Sequence, residues 1–259
     1  MTRFLTGKHA MVTGGGKGIG AACARALARQ GASLTLLGRD EKALDALAAE
    51  LHDTYEVGVT PMQADVTSVP ELDGAFGAAA HRLGPISILV NNAGQAASEP
   101  LIRTPRALWD RMLAINATSA FDCTQRVLAG MIDSGWGRII NVASTAGLRG
   151  VARVAAYSAS KHALIGLTRS LALEVAEQGV TVNAVCPGYT DTAIAEQAVH
   201  SIAEGTGRSR EEAMRLITRP SAFGRLLDPA EVGGVVAWLC SPDADAVTGQ
   251  AIVIGGDVA

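Results

Sequence analysis

The sequence lacks CxxC pairs, and its five histidines form no HExxH or comparable cluster, which leaves a metal site little support. Its four cysteines, Cys23, Cys123, Cys186 and Cys240, are scattered, as buried thiols in a reducing compartment would be. A strong excess of one sign of charge is also missing. With 18% charged residues and a formal net charge of -3, there is no electrostatic footprint for nucleic acid or an anionic membrane. No uninterrupted apolar run reaches spanning length, and Met1 to Gly7 has no signal-peptide architecture. These absences predict a soluble, cytoplasmic protein with neither nucleic acid nor membrane as partner. Linkers, internal repeats and low-complexity runs are absent too. What remains is 259 residues at 48% hydrophobic, enough for one large α/β domain or two small ones.

His9 to Thr13 reads as a short buried strand that runs into Gly14-Gly15-Gly16-Lys17-Gly18-Ile19-Gly20. An alanine-rich helical pattern follows from Ala21 to Gln30. Strand, glycine-rich turn and helix open a βαβ nucleotide-binding unit, in which bare backbone N–H groups approach a pyrophosphate at the positive end of the helix. A glycine turn alone is also compatible with a mere tight turn. The second strand, Ser33 to Leu37, ends at Gly38-Arg39-Asp40 and leads into an amphipathic helix through Leu51. The end of that strand faces the adenosine ribose in dinucleotide folds. A guanidinium at Arg39 fits a 2′-phosphate, with Lys17 as a second cation, which favours NADP(H). A merely solvated Arg39, with Asp40 beside it, leaves NAD(H) open.

Further apolar runs alternate with helical patterns. Val57 to Met62 ends before Asp65-Val66; Ile86 to Val90 closes on Asn91-Asn92-Ala93-Gly94; Arg138 to Val142 precedes Ser144; Val180 to Val185 ends at Pro187-Gly188. Runs of this kind specify a parallel sheet with a crevice at its carboxyl ends. One helix around Trp109 to Met131 carries Asn116 in its middle, read either as a solvent-facing asparagine or as a helix kept open at a site. On the helix from Ala155 to Glu174, Tyr157 and Lys161 are four residues apart and share a face. An ammonium beside a phenol is expected to lower the tyrosine pKa, which suits proton transfer near a carbonyl. Residues 191–219, polar and interrupted by Gly205 and Gly207, read as a lid over substrate. Pro229 to Leu239 restores a helix and Gln250 to Ile254 a last strand.

With these positions assembled, the chain resembles the classical short-chain dehydrogenase/reductase family over nearly its whole length. Thr13 to Gly20, Asp65-Val66, Asn91 to Gly94, Asn116, Ser144, Tyr157 to Lys161 and Pro187-Gly188 carry the likeness by their joint order and spacing. The resemblance implies one Rossmann-type, doubly wound domain over residues 1–259 with a seven-stranded parallel sheet. It also implies a homotetramer built partly on the helices bearing Asn116 and Tyr157. By position it implies Tyr157 as general acid or base, Ser144 as a hydrogen-bond donor to the carbonyl oxygen, and Lys161 as holder of the nicotinamide ribose. Asn116 would support a water that leads protons to Lys161. Gly14, Gly16, Lys17, Gly18, Ile19, Gly20 and Arg39 would hold the phosphates, and Asp65 and Val66 the adenine. Asn92, Ala93 and Gly94 would line the ribose, and Pro187, Gly188, Thr190 and Thr192 the carboxamide side. Ile254-Gly255-Gly256 stands where the family commonly has Asp-Gly-Gly.

Within the family, Asn141 to Gly147 and Val185 to Gly188 resemble the 3-oxoacyl reductases and actinorhodin-type polyketide ketoreductases. That likeness implies reduction of a 3-oxoacyl thioester or similar ketone, with Arg103, Arg149 and Arg153 either solvated or near a carrier's phosphate. A secondary-alcohol dehydrogenase acting on a small or aromatic alcohol is the alternative enzyme. A dinucleotide sensor without turnover is the rival from another class, though it would need no proton donor.

Overall fold

The computed structural model describes residues 3–255. Seven strands form one parallel sheet in the order β3-β2-β1-β4-β5-β6-β7: β1 (His9–Thr13), β2 (Ser33–Gly38), β3 (Val59–Gln63), β4 (Ile88–Asn91), β5 (Gly137–Val142), β6 (Val180–Pro187) and β7 (Ala251–Ile254). The expected doubly wound α/β architecture is present. β1, β2 and β4 are short, largely apolar runs because both of their faces are covered, whereas the edge strand β3 is mostly half-exposed. Ala10 and Val12 of β1 point into one core layer and Met11 into the other; Ile88 and Val90 of β4 divide from Leu89 in the same way.

The first layer packs α1 (Gly18–Arg29), α2 (Glu41–Tyr55) and α9 (Pro229–Leu239) against the sheet through Leu27, Leu44, Leu51 and Val236. The second packs α3 (Val69–Leu83), α5 (Ser119–Asp133) and α6 (Ala155–Val175) through Leu72, Val127 and Leu171. Small residues let α1 and α9 come close: a Cβ on Gly233 would lie 2.6 Å from the Ala22 carbonyl oxygen.

The expected single helix from Trp109 to Met131 is three pieces. α4 (Arg106–Leu113) leads into a π-helical turn, Ala114–Thr118, which leads into α5. No residue type marks where a helix widens by one residue, and such turns gather at functional sites. Within 191–219, α7 (Ala193–Thr206) runs through Gly205 without interruption and stops at Gly207, whose φ of 69° caps it. α8 (Arg210–Thr218) follows behind a Ser209–Glu212 capping box. The two helices share a small core of Ala195, Val199, Ala213 and Ile217, separate from both layers of the sheet. A parallel bridge between Thr190 and Leu227 joins the two ends of this segment. The C-terminal glycine comparison is only partly visible, because Gly256 lies outside the described residues, as do Met1 and Thr2 of the expected leaderless start. No helix among the described residues is long and apolar enough to cross a membrane.

Candidate active site

β1 pairs with β2 on one side and β4 on the other, so the strand order turns at β1 and opens a crevice at the carboxyl ends of β1 and β4. A cavity of about 240 Å³ occupies that place. Gly14, Gly16, Lys17, Arg39, Asp65, Val66, Ala93 and Gly94, all expected from sequence, line it. Gly38, Asp40, Ala43, Leu44, Ala64 and Ile115 complete the wall. These were not singled out as ligand-binding positions. An apolar wall residue looks like core in a sequence, and only the turn of the chain reveals its open side.

The glycine loop is shaped by contacts that side chains would destroy. Gly14 has a φ of 63°, and a Cβ on Gly20 would lie 2.2 Å from the Gly14 carbonyl oxygen. Gly18, at the start of α1 with a φ of 53°, faces Thr192, whose Cγ2 would be 3.1 Å from an added Cβ. Ile19 packs against the first core layer. Asn92 supports the loop from beneath, its Nδ2 donating to the carbonyls of Thr13 at 2.9 Å and Gly14 at 3.2 Å. Thr13 Oγ1 accepts from the N–H groups of Asn92 and Ala93, both at 3.0 Å. Loop and β4 terminus are thereby one rigid piece.

Two ion pairs stand at the adenosine end. Lys17 Nζ is 2.5 Å from Asp40 Oδ2, and Arg39 Nη1 is 3.8 Å from Asp65 Oδ2. Asp65 is held by Thr67, whose N–H and hydroxyl donate to Oδ1 at 2.9 and 2.7 Å. These bonds, chiefly that from the Thr67 N–H, keep its carboxyl below the usual carboxylate range. A backbone cradle without side chains, the N-terminus of α1 and two cations fit a dinucleotide with an extra phosphate on its ribose.

The proton-transfer residues meet at the end of β5. Ser144 follows the strand and starts a turn, its Oγ accepting from the Ala146 N–H at 3.1 Å. Gly147 lets α6 approach, since a Cβ there would be 2.9 Å from the Lys161 carbonyl oxygen. That approach brings Tyr157 to Ser144. Burial pushes the Tyr157 phenol above its ordinary pKa, while the hydrogen bond with Ser144 pulls in the other direction. The Tyr157 residue as a whole is half-buried.

The spacing of Tyr157 and Lys161 predicted a lowered tyrosine pKa, and the structure reverses that direction. Lys161 Nζ lies 5.9 Å from the Tyr157 ring centre and donates to the Val142 carbonyl at 2.8 Å. Its own pKa is pushed down to about 8 because it is buried. The i, i+4 rule shares a face but does not say which acceptor claims the ammonium.

Asn116 is buried within the π-helical turn, so the solvent-facing reading falls. Its Oδ1 accepts from the Gln95 N–H at 3.0 Å, and its Nδ2 donates to the Gln95 carbonyl at 2.9 Å and to Ser160 Oγ at 3.0 Å. Gly94 lies flat against it, an added Cβ coming 2.7 Å from Asn116 Oδ1 and 3.5 Å from Lys161 Nζ.

Pro187 ends β6, and the Gly188 N–H donates to the Ile254 carbonyl at 3.0 Å. Thr190 is buried with its hydroxyl on the Gly188 carbonyl, while Thr192 reaches the glycine loop. Sequence reasoning also missed a polar brace below the site. Asn91 Nδ2 donates to Asn141 Oδ1 at 2.9 Å, and Asn141 Nδ2 to Thr168 Oγ1 at 2.8 Å, tying β4 and β5 to α6. Among the described residues no group of three metal-ligating side chains occurs.

Comparison with known proteins agrees with this arrangement. The profile of the short chain dehydrogenase family matches residues 8–203. A Streptomyces coelicolor protein named as a ketoacyl reductase is 40% identical over 249 residues, covering 95% of each chain. The D-beta-hydroxybutyrate dehydrogenase of Cupriavidus necator is 40% identical over 248 residues, again 95% of each. A variant of actinorhodin polyketide ketoreductase, crystallised with NADPH, superposes with a TM-score of 0.93 at 39% identity, covering 99% of this chain and 98% of that one.

Proposed function

This chain belongs to the short-chain dehydrogenase family, and on that premise we propose an NADP(H)-dependent oxidoreductase that interconverts a ketone and a secondary alcohol, with 3-oxoacyl thioesters as the substrate class. The observation that carries it is the convergence of Ser144, Tyr157 and Lys161 beside a glycine cradle flanked by Lys17 and Arg39. The NADPH-bound ketoreductase relative supports the cofactor.

Bound in the cradle, the nicotinamide supplies hydride to the carbonyl carbon or removes it from the alcohol. The chain supplies the proton and the placement. Tyr157 keeps its proton through neutral pH, because burial disfavours the phenolate, and gives it to the oxygen on which negative charge develops. Ser144, its oxygen fixed by Ala146, offers a second O–H to the same oxygen; donors preplaced in this way stabilise the transition state more than the ground state. Lys161 spends one N–H on Val142 and has two more for the ribose hydroxyls. Both side-chain N–H groups of Asn116 are engaged, on Gln95 and Ser160, while its Oδ1 accepts one bond and keeps a second lone pair. Asn116 supports the water that leads protons to Lys161.

α7 and α8 serve as the lid, and residues 1–259 act as one domain. A homotetramer on the helices bearing Asn116 and Tyr157 is supported by Phe121 of α5 and Leu173 of α6, which are 44% and 86% exposed. Carrier-protein contact through arginines has less to support it at Arg103, which is paired with Glu99 at 2.9 Å.

The test mixes the protein with NADPH or NADH and a panel of 3-oxoacyl thioesters and simple ketones, then runs the reverse reactions with hydroxyacyl substrates and small alcohols. NADPH consumption fastest on 3-oxoacyl thioesters is expected. Tyr157→Phe should lower turnover by about 10²–10⁴-fold while NADPH still binds. Tight binding without turnover on any substrate would mean a nucleotide sensor, and faster oxidation of a simple alcohol would mean an alcohol dehydrogenase.

A further inference from the structure

Lys17 and Arg39 both face carboxylates in this structure, but the two carboxylates differ in how they are held. Asp65 is pinned by two bonds from Thr67 and stands 3.8 Å from Arg39. Asp40 meets Lys17 at 2.5 Å, its Oδ2 occupying the ammonium that a phosphate oxygen would otherwise engage. Its other oxygen accepts from the Ala43 N–H at 3.2 Å and caps the start of α2. Asp40 also forms part of the cavity wall, next to Arg39. We propose that Asp40 is a specificity-determining residue that competes with the 2′-phosphate for Lys17 and so narrows the preference for NADPH over NADH.

This inference rests on the cofactor reading given above. A 2′-phosphate has to take Lys17 from Asp40 and then lie near the carboxylate it displaced, two negative groups side by side. A 2′-hydroxyl requires neither change, and a carboxylate there can accept its hydrogen bond. The same residue therefore hinders one nucleotide and tolerates the other. Lys17 and Asp40 have side chains 73% and 51% exposed, so salt must weaken the competition.

The discriminating variant is Asp40→Asn, because asparagine caps a helix as well as aspartate and carries no charge. Dissociation constants for NADPH and NADH are measured by isothermal titration calorimetry at about 20 mM and about 500 mM salt, on either side of physiological screening. The variant should bind NADPH roughly three- to tenfold more tightly at low salt, with NADH unchanged or weaker, and the gain should shrink at high salt. An unchanged NADPH-to-NADH affinity ratio would overturn the proposal. So would a fall in that ratio, which would mean that Asp40 aims Lys17 at the phosphate. If the unmodified protein binds neither nucleotide, the cofactor reading fails and the inference fails with it; tight NADPH binding with an unmoved ratio sinks the inference alone.

Discussion

Replacing Asn116 with alanine should damage the fold as much as the chemistry. Its side chain makes two bonds to the backbone of Gln95 and one to Ser160, at 2.9 to 3.0 Å, and is only 2% exposed. Each such bond contributes about 1 kcal/mol net, and backbone groups left without partners cost about 1–3 kcal/mol more where water cannot reach them. Gln95 is only half-buried, so water recovers part of that loss, and Ser160 keeps its bond to the Tyr157 carbonyl at 2.7 Å. The total comes to about 3 kcal/mol, or roughly 6–12 °C in Tm for a domain of this size. Calorimetric unfolding of Asn116→Ala, followed by NADPH titration, measures both consequences. Because the Gln95 loop next to Gly94 loses its anchor, cofactor affinity should fall as well. A Tm within about 2 °C of the parent would refute the reasoning and leave Asn116 with a purely chemical role.

Arg39→Ala should weaken NADPH about tenfold, the low end of a charge-assisted bond because the side chain is 65% exposed, and leave NADH within about twofold. Equal losses in titrations of the two nucleotides would remove Arg39 from phosphate recognition. The Lys161 ammonium is present below its pKa of about 8 and lost above it, so kcat/KM for NADPH, which reports the free enzyme, should fall above that pH. Lys161→Arg should abolish the break; a parent profile flat well into alkaline pH would contradict the assignment. His9 is buried between the Gly84 carbonyl at 2.8 Å and the Thr35 hydroxyl at 2.9 Å, and burial lowers its pKa below 6.5. The unfolded chain then takes up a proton first as pH falls through 6.5, so stability drops on the acid side. The urea midpoint should decline less steeply in His9→Gln between pH 6.5 and about pH 5; parallel declines would exclude His9 as the source.

The sheet was legible because its strands are buried on both faces and read as apolar runs. β1 and α9 have the bounds expected from sequence, the latter marked by Asp228 and Pro229 at its start. The glycine loop was legible for a related reason: only residues without side chains tolerate contacts of 2.2 Å from Gly20. The π-helical turn at Asn116 was legible only as one of two readings, a helix kept open at a site, since the backbone bonds that widen a turn are marked by no residue type of their own. The direction of the Tyr157 pKa was not legible, since it depends on Val142 claiming Lys161 and on how closely protein packs around the phenol. Asn91 and Asn141 stood in motifs, but their pairing was not legible, because a polar residue in an apolar strand has no visible partner until the next strand is placed opposite; here they stand in register across β4 and β5.

The private core of α7 and α8 has a consequence for how this chain changes over generations. Ala195, Val199, Ala213 and Ile217 are satisfied by one another, and the segment is tied at its base by Thr190 and Leu227. A unit that is internally satisfied can open or be rebuilt at little cost to the rest. Its outward residues are therefore free to drift, while the loop, Ser144 and α6 stay fixed. Such a part is interchangeable: its two helices can be exchanged as a cassette while the sheet and its core layers keep their own packing.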